Sequence, residues 1–228
     1  MKVLITGASR GIGSFLMNKL FDHGYLVYGT FNQTQPRGKL EQFYTKVDVS
    51  IHTQVNEWVD STVSIDDKIV LINCAGINYN TYAHKADSEK WKKVIEVNLL
   101  GSFYPICAVL PYMRKVGFGR IINLSSILAQ KGVPGTSAYA SSKSALWGMS
   151  KSIAVENAEK GITINSLNLG YFSIGMIEEV PKQIISSIKT STPVKEIGKP
   201  ENILNAVKFL IETEYITGAT IDINGGLL

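Results

Sequence analysis

Three side chains in this sequence have the types and spacing to place a proton on a carbonyl oxygen. Tyr139-Ala140-Ser141-Ser142-Lys143 sets a phenol and an ammonium four residues apart, which on a helix means the same face, one turn apart. A nearby ammonium stabilises phenolate, so the Tyr139 pKa is expected to fall from about 10 towards the working range of a proton donor. Ser126 lies thirteen residues ahead of Tyr139. It falls at the carboxyl end of an apolar strand, where its hydroxyl can bond a carbonyl oxygen as negative charge builds there. Each residue also has a plain structural reading: a half-buried aromatic, a solvated helix lysine, a turn-forming serine. A tyrosine four before a lysine arises about once by chance in a chain of this composition, so only the set, behind a glycine turn, points to chemistry. Asn98, in Val97-Asn98-Leu99-Leu100-Gly101, sits in an otherwise apolar helix. It either opens a local kink that holds water or bonds backbone as a core residue.

The glycine turn is Thr6-Gly7-Ala8-Ser9-Arg10-Gly11-Ile12-Gly13, placed between the first strand and the first helix. Gly7 permits the tight turn, Gly11 lets backbone N–H groups approach a pyrophosphate, and Gly13 allows close helix–strand packing. A dinucleotide's phosphates would sit at the positive end of the helix, with Ser9, Arg10 and Ile12 beside them. The second strand ends in Thr30-Phe31-Asn32, without the carboxylate that bonds adenosine ribose hydroxyls and repels a 2′-phosphate. With Arg10 in the turn and Arg37 just beyond the strand, either able to pair with that phosphate, NADP(H) is the expected cofactor. Arg37 taken alone also reads as an ordinary solvated side chain. Asp48, followed by Val49 and Ser50, either accepts from the adenine amino group or opens a helix. Asn73-Cys74-Ala75-Gly76 ends the fourth strand on small residues that suit close approach to a ribose, or a simple strand-ending turn.

These residues need a scaffold, and the hydrophobic pattern supplies one. Short β-branched runs at 3–6, 25–30, 43–47, 68–73, 120–124, 163–167 and 220–223 imply seven strands. Helical spacing places the first helix around Ile12, Leu16 and Leu20 with Gly24 as its stop, and later helices at 53–63, 88–115, 137–160 and 200–212. Strict alternation of strand and helix, with strands apolar on both faces, predicts a Rossmann-like, doubly wound parallel α/β sheet with helices on each side. The 228 residues, 45% hydrophobic and 18% charged, suit one such domain over 1–228. Residues 176–195 carry Ile177, Val180, Ile184 and Ile188 at helical spacing and read either as an amphipathic lid or as a plain surface helix.

Bulk properties narrow the function classes. The net charge of +4 comes from scattered Lys and Arg rather than blocks, which argues against nucleic acid and for an anionic cofactor or partner. Cys74 and Cys107 stand among apolar neighbours, outside any metal spacing, and are expected as buried thiols. No apolar run approaches the roughly 18 to 20 residues of a membrane span. Met1-Lys2 runs directly into Val3-Leu4-Ile5, leaving no room for a signal peptide, so a cytoplasmic protein is expected.

Taken together, T-G-A-S-R-G-I-G, Asp48-Val49, N-C-A-G, the Asn98 helix, I-N-L-S-S, Y-A-S-S-K, G-K-P-E-N-I and I-T-G-A-T-I-D-I-N-G-G resemble the short-chain dehydrogenase/reductase family over nearly the whole chain. The resemblance implies hydride transfer from a nicotinamide to a carbonyl. It implies Tyr139 as proton donor, Lys143 tuning it and bonding the nicotinamide ribose, Ser126 on the carbonyl, and Asn98 holding a water for proton relay. Length, glycine turn and ending look most like the β-ketoacyl-(acyl-carrier-protein) reductases, which implies a homotetramer packed through the fourth and fifth helices. Lys160 matches a basic position that such enzymes use to dock the acidic carrier protein. At a second such position stands Gly117, with Arg114 and Lys115 close by in sequence. After the sixth strand the family reads P-G, then a Thr four residues on that bonds the nicotinamide carboxamide. This chain has Leu169-Gly170-Tyr171-Phe172-Ser173-Ile174. Ile174 lacks the hydroxyl, leaving Ser173 or backbone at Phe172 or Ile174, and one lost bond weakens cofactor binding by about 0.5–1.5 kcal/mol. The expectation is NADP-dependent reduction of a 3-oxoacyl thioester. Reduction of a sugar-derived or secondary-metabolite ketone, and a non-catalytic dinucleotide-sensing scaffold, are the alternatives.

Overall fold

A computed structural model describes residues 1–227, apart from the side chain of Glu179. The strands are β1 (Lys2–Thr6), β2 (Leu26–Phe31), β3 (Tyr44–Lys46), β4 (Ile69–Asn73), β5 (Gly119–Ser126), β6 (Ile162–Leu169) and β7 (Thr220–Ile223). They form one parallel sheet in the order β3-β2-β1-β4-β5-β6-β7. The order reverses between β1 and β4, paired from Lys2↔Ile69 to Thr6↔Asn73. Beyond their carboxyl ends the chain leaves in opposite directions and opens the crevice where ligands bind in such sheets.

Alternation on each strand builds two cores. Val3, Ile5, Val70 and Ile72 face one side, where α1 (Gly11–Asp22) brings Leu16, Met17 and Leu20, and α7 (Pro200–Glu212) brings Ile203, Val207 and Leu210. Leu4, Ile69 and Leu71 face the other. There α2 (His52–Thr62) adds Val55, Trp58 and Val59, α4 (Gly101–Val116) adds Ile106, Val109 and Met113, and α5 (Ser137–Asn157) adds Ile153. Strands buried on both faces read as continuous apolar runs, which is why their centres were legible. Their ends were not: β5 and β6 each run past the expected limits and stay paired from Gly119↔Ile162 to Ser126↔Leu169. The extensions carry Ser125, Ser126 and Asn168, polar residues that interrupt the hydrophobic pattern yet are buried.

The long helix expected at 88–115 is three pieces. α3 (Ser88–Ile95) begins at Asp87, whose carboxylate accepts from the N–H groups of Glu89 and Lys90. A π turn follows over Glu96–Leu100, then α4, which contains Pro105 and Pro111 and ends at left-handed Gly117. The combined stretch Ser88–Val116 is long and apolar enough to cross a membrane by length and composition, which corrects the expectation that no segment reaches that length. Ile106, Val109 and Met113 pack it onto the sheet, as a core helix. Cys107, expected to be buried, is exposed on α4, while Cys74 is partly buried at the end of β4.

The segment expected as a lid also divides, into a 3-10 turn Gly175–Glu179 and α6 (Lys182–Ser191). Past α6, Lys195 has φ 59°, alone among the described non-glycine residues in the left-handed region. That conformation crowds Cβ against the following carbonyl at a cost of about 1 kcal/mol. Lys195→Gly is therefore expected to stabilise the protein by about 0.5 kcal/mol after glycine's extra unfolded-state entropy is subtracted, read as a higher urea midpoint with unchanged slope.

Candidate active site

The extension of β5 brings the reacting set together. Ser126 is the last residue of β5 and 9% exposed, and its Oγ accepts from the Leu128 N–H at 3.2 Å. The Ser126 hydroxyl lies close enough to the Tyr139 phenol to favour its ionised form. Tyr139 and Lys143 share a face of α5's first turns, with Nζ 5.8 Å from the phenol ring centre. Lys143 is buried, and Nζ donates to the Leu124 carbonyl oxygen at 2.7 Å. Gly76, from the loop after β4, completes the corner. A Cβ there would lie 3.4 Å from Asn98 Oδ1 and 3.6 Å from Lys143 Nζ.

Burial reverses one expectation. The Tyr139 phenol is not lowered by its neighbour. Desolvation pushes it up to about 12, against the opposing effect of the Ser126 hydroxyl. The ammonium yields instead, with desolvation taking Lys143 down to about 8. Both shifts disfavour charge in a site shielded from water, the larger effect when the opposite charge is not yet formed. At neutral pH the phenol carries its proton and the amine is still mostly cationic. Cys74, beside them, is pushed up to about 11 by burial and stays a thiol.

Asn98 lies in the π turn and is fully buried. Its Oδ1 accepts from the Ile77 N–H at 2.8 Å, and its Nδ2 donates to the Ile77 carbonyl at 2.9 Å and to Ser142 Oγ at 3.0 Å. Asn98 thus lies in a π turn and also bonds backbone as a core residue. Its amide is committed to protein atoms and clamps the loop after β4 to the helix. Asn73, expected near a ribose, turns its amide inward at the end of β4, donating to Asn123 Oδ1 and the Ser102 carbonyl.

The glycine turn fits a pyrophosphate on an observation of its own: no side chain caps α1 and its first turn carries no acidic residue, so its amides are available to an anion. Gly7 (φ 64°) and Gly11 (φ 53°) are left-handed, and a Cβ on Gly7 would fall 2.6 Å from Ala75 Cα. Gly13 packs on the Gly7 carbonyl and Ala8. Ser9 belongs to the turn, Arg10 is the extended N-cap residue, and Ile12 packs partly on the core. Two hydroxyls that sequence reasoning passed over hold this turn. Thr6 Oγ1 accepts from the N–H groups of Cys74 and Ala75, and Thr30 Oγ1 accepts from Gly7. A threonine at the end of β1 and another next to the end of β2 were the available signal.

Where the adenosine was expected, Asn32 is exposed just past β2, close enough to Asp48 to favour its ionised form. Asp48 Oδ1 accepts from the Ser50 N–H and hydroxyl. Desolvation raises the Asp48 carboxyl, but these bonds outweigh it and hold it below the usual carboxylate range. Val49 is buried against Gly101, where a Cβ would collide with it. Arg37 is exposed in the segment after β2.

At the other end, Gly170 has no room for a Cβ beside Asn224, and the Phe172 ring packs over Gly198. Ile174 lies partly buried against the core while Ser173 is exposed. Gly175 crosses directly over the glycine turn, 3.0 Å from where a Gly11 Cβ would be. A cavity of about 550 Å³ lies beyond, lined by Phe172, Val194, Lys199, Asp222 and Asn224 among others, and none of the reacting set borders it. Lys160 is exposed at the end of a turn before left-handed Gly161. The exposed Arg114 donates through its guanidinium to Asn157 Oδ1 at 2.7 Å and ties α4 to α5. Lys115 is exposed nearby.

Comparison with known proteins gives a consistent result. Residues 1–184 match the family model described as short chain dehydrogenase. The chain is 36% identical over 235 residues to the acetoacetyl-CoA reductase of Rhizobium meliloti (strain 1021), covering 98% of this chain and 96% of that one. It is 32% identical over 237 residues to the 3-oxoacyl-(acyl-carrier-protein) reductase FabG of Staphylococcus epidermidis, covering 98% and 97%. The solved structure of ElxO with NADP bound superimposes with a TM-score of 0.89 at 28% identity, covering 99% of this chain and 98% of that one.

The buried amine has a consequence for stability. Between about 8 and 10.5, the folded and unfolded values for Lys143, the native state binds fewer protons than the unfolded chain. The cost of burying this cation is therefore complete below pH 8 and relieved as pH rises through that window. Lys143→Met is expected to raise stability at pH 7 by about 1–3 kcal/mol and to flatten the rise between pH 8 and 10.5, followed by denaturant titration of tryptophan fluorescence.

Proposed function

The chain belongs to the short-chain dehydrogenase family of oxidoreductases, and on that premise we propose that it reduces 3-oxoacyl thioesters to 3-hydroxyacyl thioesters with NADPH. The observation that carries this reading is the grouping of Ser126 and Tyr139 with a buried, cationic Lys143, opening on the same crevice as the glycine turn. The names of the two relatives, both reductases of 3-oxoacyl thioesters, support the substrate class. The absence of a carboxylate in Thr30-Phe31-Asn32, Arg10 in the turn, and the NADP bound by ElxO support the phosphorylated cofactor.

The nicotinamide, when bound, supplies the hydride. The protein's own part is proton placement. Ser126 and Tyr139 aim two hydroxyls at one point, where they receive the carbonyl oxygen of the ketone and stabilise the charge that develops on it. Tyr139, pushed up to about 12, holds its proton in the resting state and gives it up as that oxygen becomes strongly basic. Lys143 then lies close to the new phenolate and stabilises it in a shielded setting where a nearby cation acts strongly. Asn98 serves by holding the loop after β4 and the first turns of α5 in place.

A homotetramer packed through α4 and α5 fits the exposed apolar side chains Phe103 and Val155 on those helices. Docking of an acidic carrier protein fits Lys160 and Lys115.

Purified protein is expected to oxidise NADPH with acetoacetyl thioesters and to lose about 10²–10⁴ of that turnover as Tyr139→Phe, with NADPH still bound by fluorescence. Turnover only with sugar-derived or other ketones would replace the substrate, and no turnover with any ketone would favour the dinucleotide-sensing scaffold. In wild type, kcat is expected to fall as pH rises through about 8, where Lys143 loses its proton. Lys160→Glu is expected to raise KM for acyl-carrier substrates about tenfold, the scale of a close ion contact, leaving small acetoacetyl thioesters unaffected. An equal effect on both would remove Lys160 from docking.

A further inference from the structure

The first turn of α5 carries Tyr139 but lacks the usual anchor: no side chain caps the helix at Thr136. Uncapped helix ends fray, since their first N–H groups have no partner inside the helix. Trp91 Nε1 reaches Ser137 Oγ at 3.2 Å, but that contact is exposed. A second restraint is buried. Ser142, fully inaccessible to solvent, donates its hydroxyl proton to the Tyr139 carbonyl oxygen at 2.8 Å and accepts from Asn98 Nδ2 at 3.0 Å.

A serine bonding the carbonyl three residues back is common in helices and by itself says little. The second bond is what distinguishes Ser142. Asn98 is held at Ile77 through both its amide oxygen and its amide nitrogen, so the Ser142 hydroxyl links three segments at one dry point: the loop after β4, the π turn and the start of α5. Removal of the hydroxyl leaves an Asn98 N–H buried without an acceptor and frees the Tyr139 turn to move. Gly76 and Lys143 Nζ lie beside the same amide, so displacement of Asn98 is felt at the ammonium as well.

We propose that Ser142 is a positioning residue for proton donation, holding the Tyr139 turn of α5 against the Asn98 clamp. The proposal rests on the reading of Ser126, Tyr139 and Lys143 as the reacting set. It acts through Asn98, and the reacting groups themselves are untouched by it.

The test is a double-mutant cycle on the full chain with NADPH and an acetoacetyl thioester. Ser142→Ala is expected to lower kcat about tenfold, the scale of one misplaced hydrogen bond, with KM for both substrates within about twofold. In an Asn98→Ala background the same substitution is expected to change kcat less than about twofold, because the partner it acts through is gone. Ser142→Thr, which keeps the hydroxyl, is expected to recover most of the loss. Ser144→Ala removes a hydroxyl two residues on that bonds the Ala129 and Ala140 carbonyls, and is expected to leave kcat unchanged. A Ser142→Ala protein with wild-type kcat and a lower melting temperature would overturn the proposal, as would independent losses that multiply in the double variant. Amide exchange at Ile77, whose N–H is held by Asn98, gives a reading free of catalysis. Ser142→Ala is expected to speed it about tenfold, as for a destabilised local opening, and unchanged exchange would overturn the coupling. Wild type without ketone turnover would sink the catalytic reading alone, since the exchange experiment still decides whether Ser142 holds Asn98.

Discussion

A cation is buried where water cannot solvate it, and the rest of the site is arranged around that fact. The Lys143 ammonium donates to the Leu124 carbonyl, and desolvation by burial takes its pKa down to about 8. An ion in such a setting is costly until an opposite charge appears nearby. On the proposed function, reduction of a carbonyl generates that charge on Tyr139 at the moment the proton leaves. The unfavourable ground state is then the source of the catalytic interaction, and stability is given up where the proposed chemistry needs it.

Several features follow from keeping this ammonium in place. β5 continues past its apolar stretch to Ser126, so the Leu124 carbonyl remains part of the pairing with β6 and Ser126 ends beside Tyr139. Gly76 lies where a Cβ would come within van der Waals contact of both Asn98 Oδ1 and Lys143 Nζ. The π turn at Glu96–Leu100 brings Asn98 inward to hold the backbone at Ile77. On the other side of β4, Thr6 bonds the N–H groups of Cys74 and Ala75, so the glycine turn and the proton-donating set are fastened to the same short loop. The crevice between β1 and β4 joins the two halves of the site, and a shift of that loop reaches both.

The strongest signals in the sequence were local and repetitive. Alternating strands such as Ile69–Asn73, with both faces apolar, announced a sheet covered on each side. The glycine turn was readable because Gly7 and Gly11 need backbone conformations that other residues resist. The spacing from Tyr139 to Lys143 placed the two on one helix face without reference to anything else. Strand ends escaped because Ser125, Ser126 and Asn168 look like surface residues until partners from other elements are known. Asn73 opens a run read either as approaching a ribose or as a strand-ending turn, and its amide is drawn inward by Asn123, fifty residues away. Cys107 was read as buried because its neighbours are apolar, yet it lies on the outer face of α4.

The sequence by itself determined the doubly wound fold, the glycine turn between β1 and α1 and the placing of Tyr139 and Lys143 on one helix face, because these depend on periodicity and on steric limits of single residues. Tertiary structure decided how those residues behave. Tyr139 was expected to become more acidic next to an ammonium, and the pair instead shares a desolvated corner where the phenol rises to about 12 and the amine falls to about 8. Spacing along a helix reports that two groups are close. It does not report how much water remains around them, and in a site this dry the loss of water outweighs the attraction between neighbours.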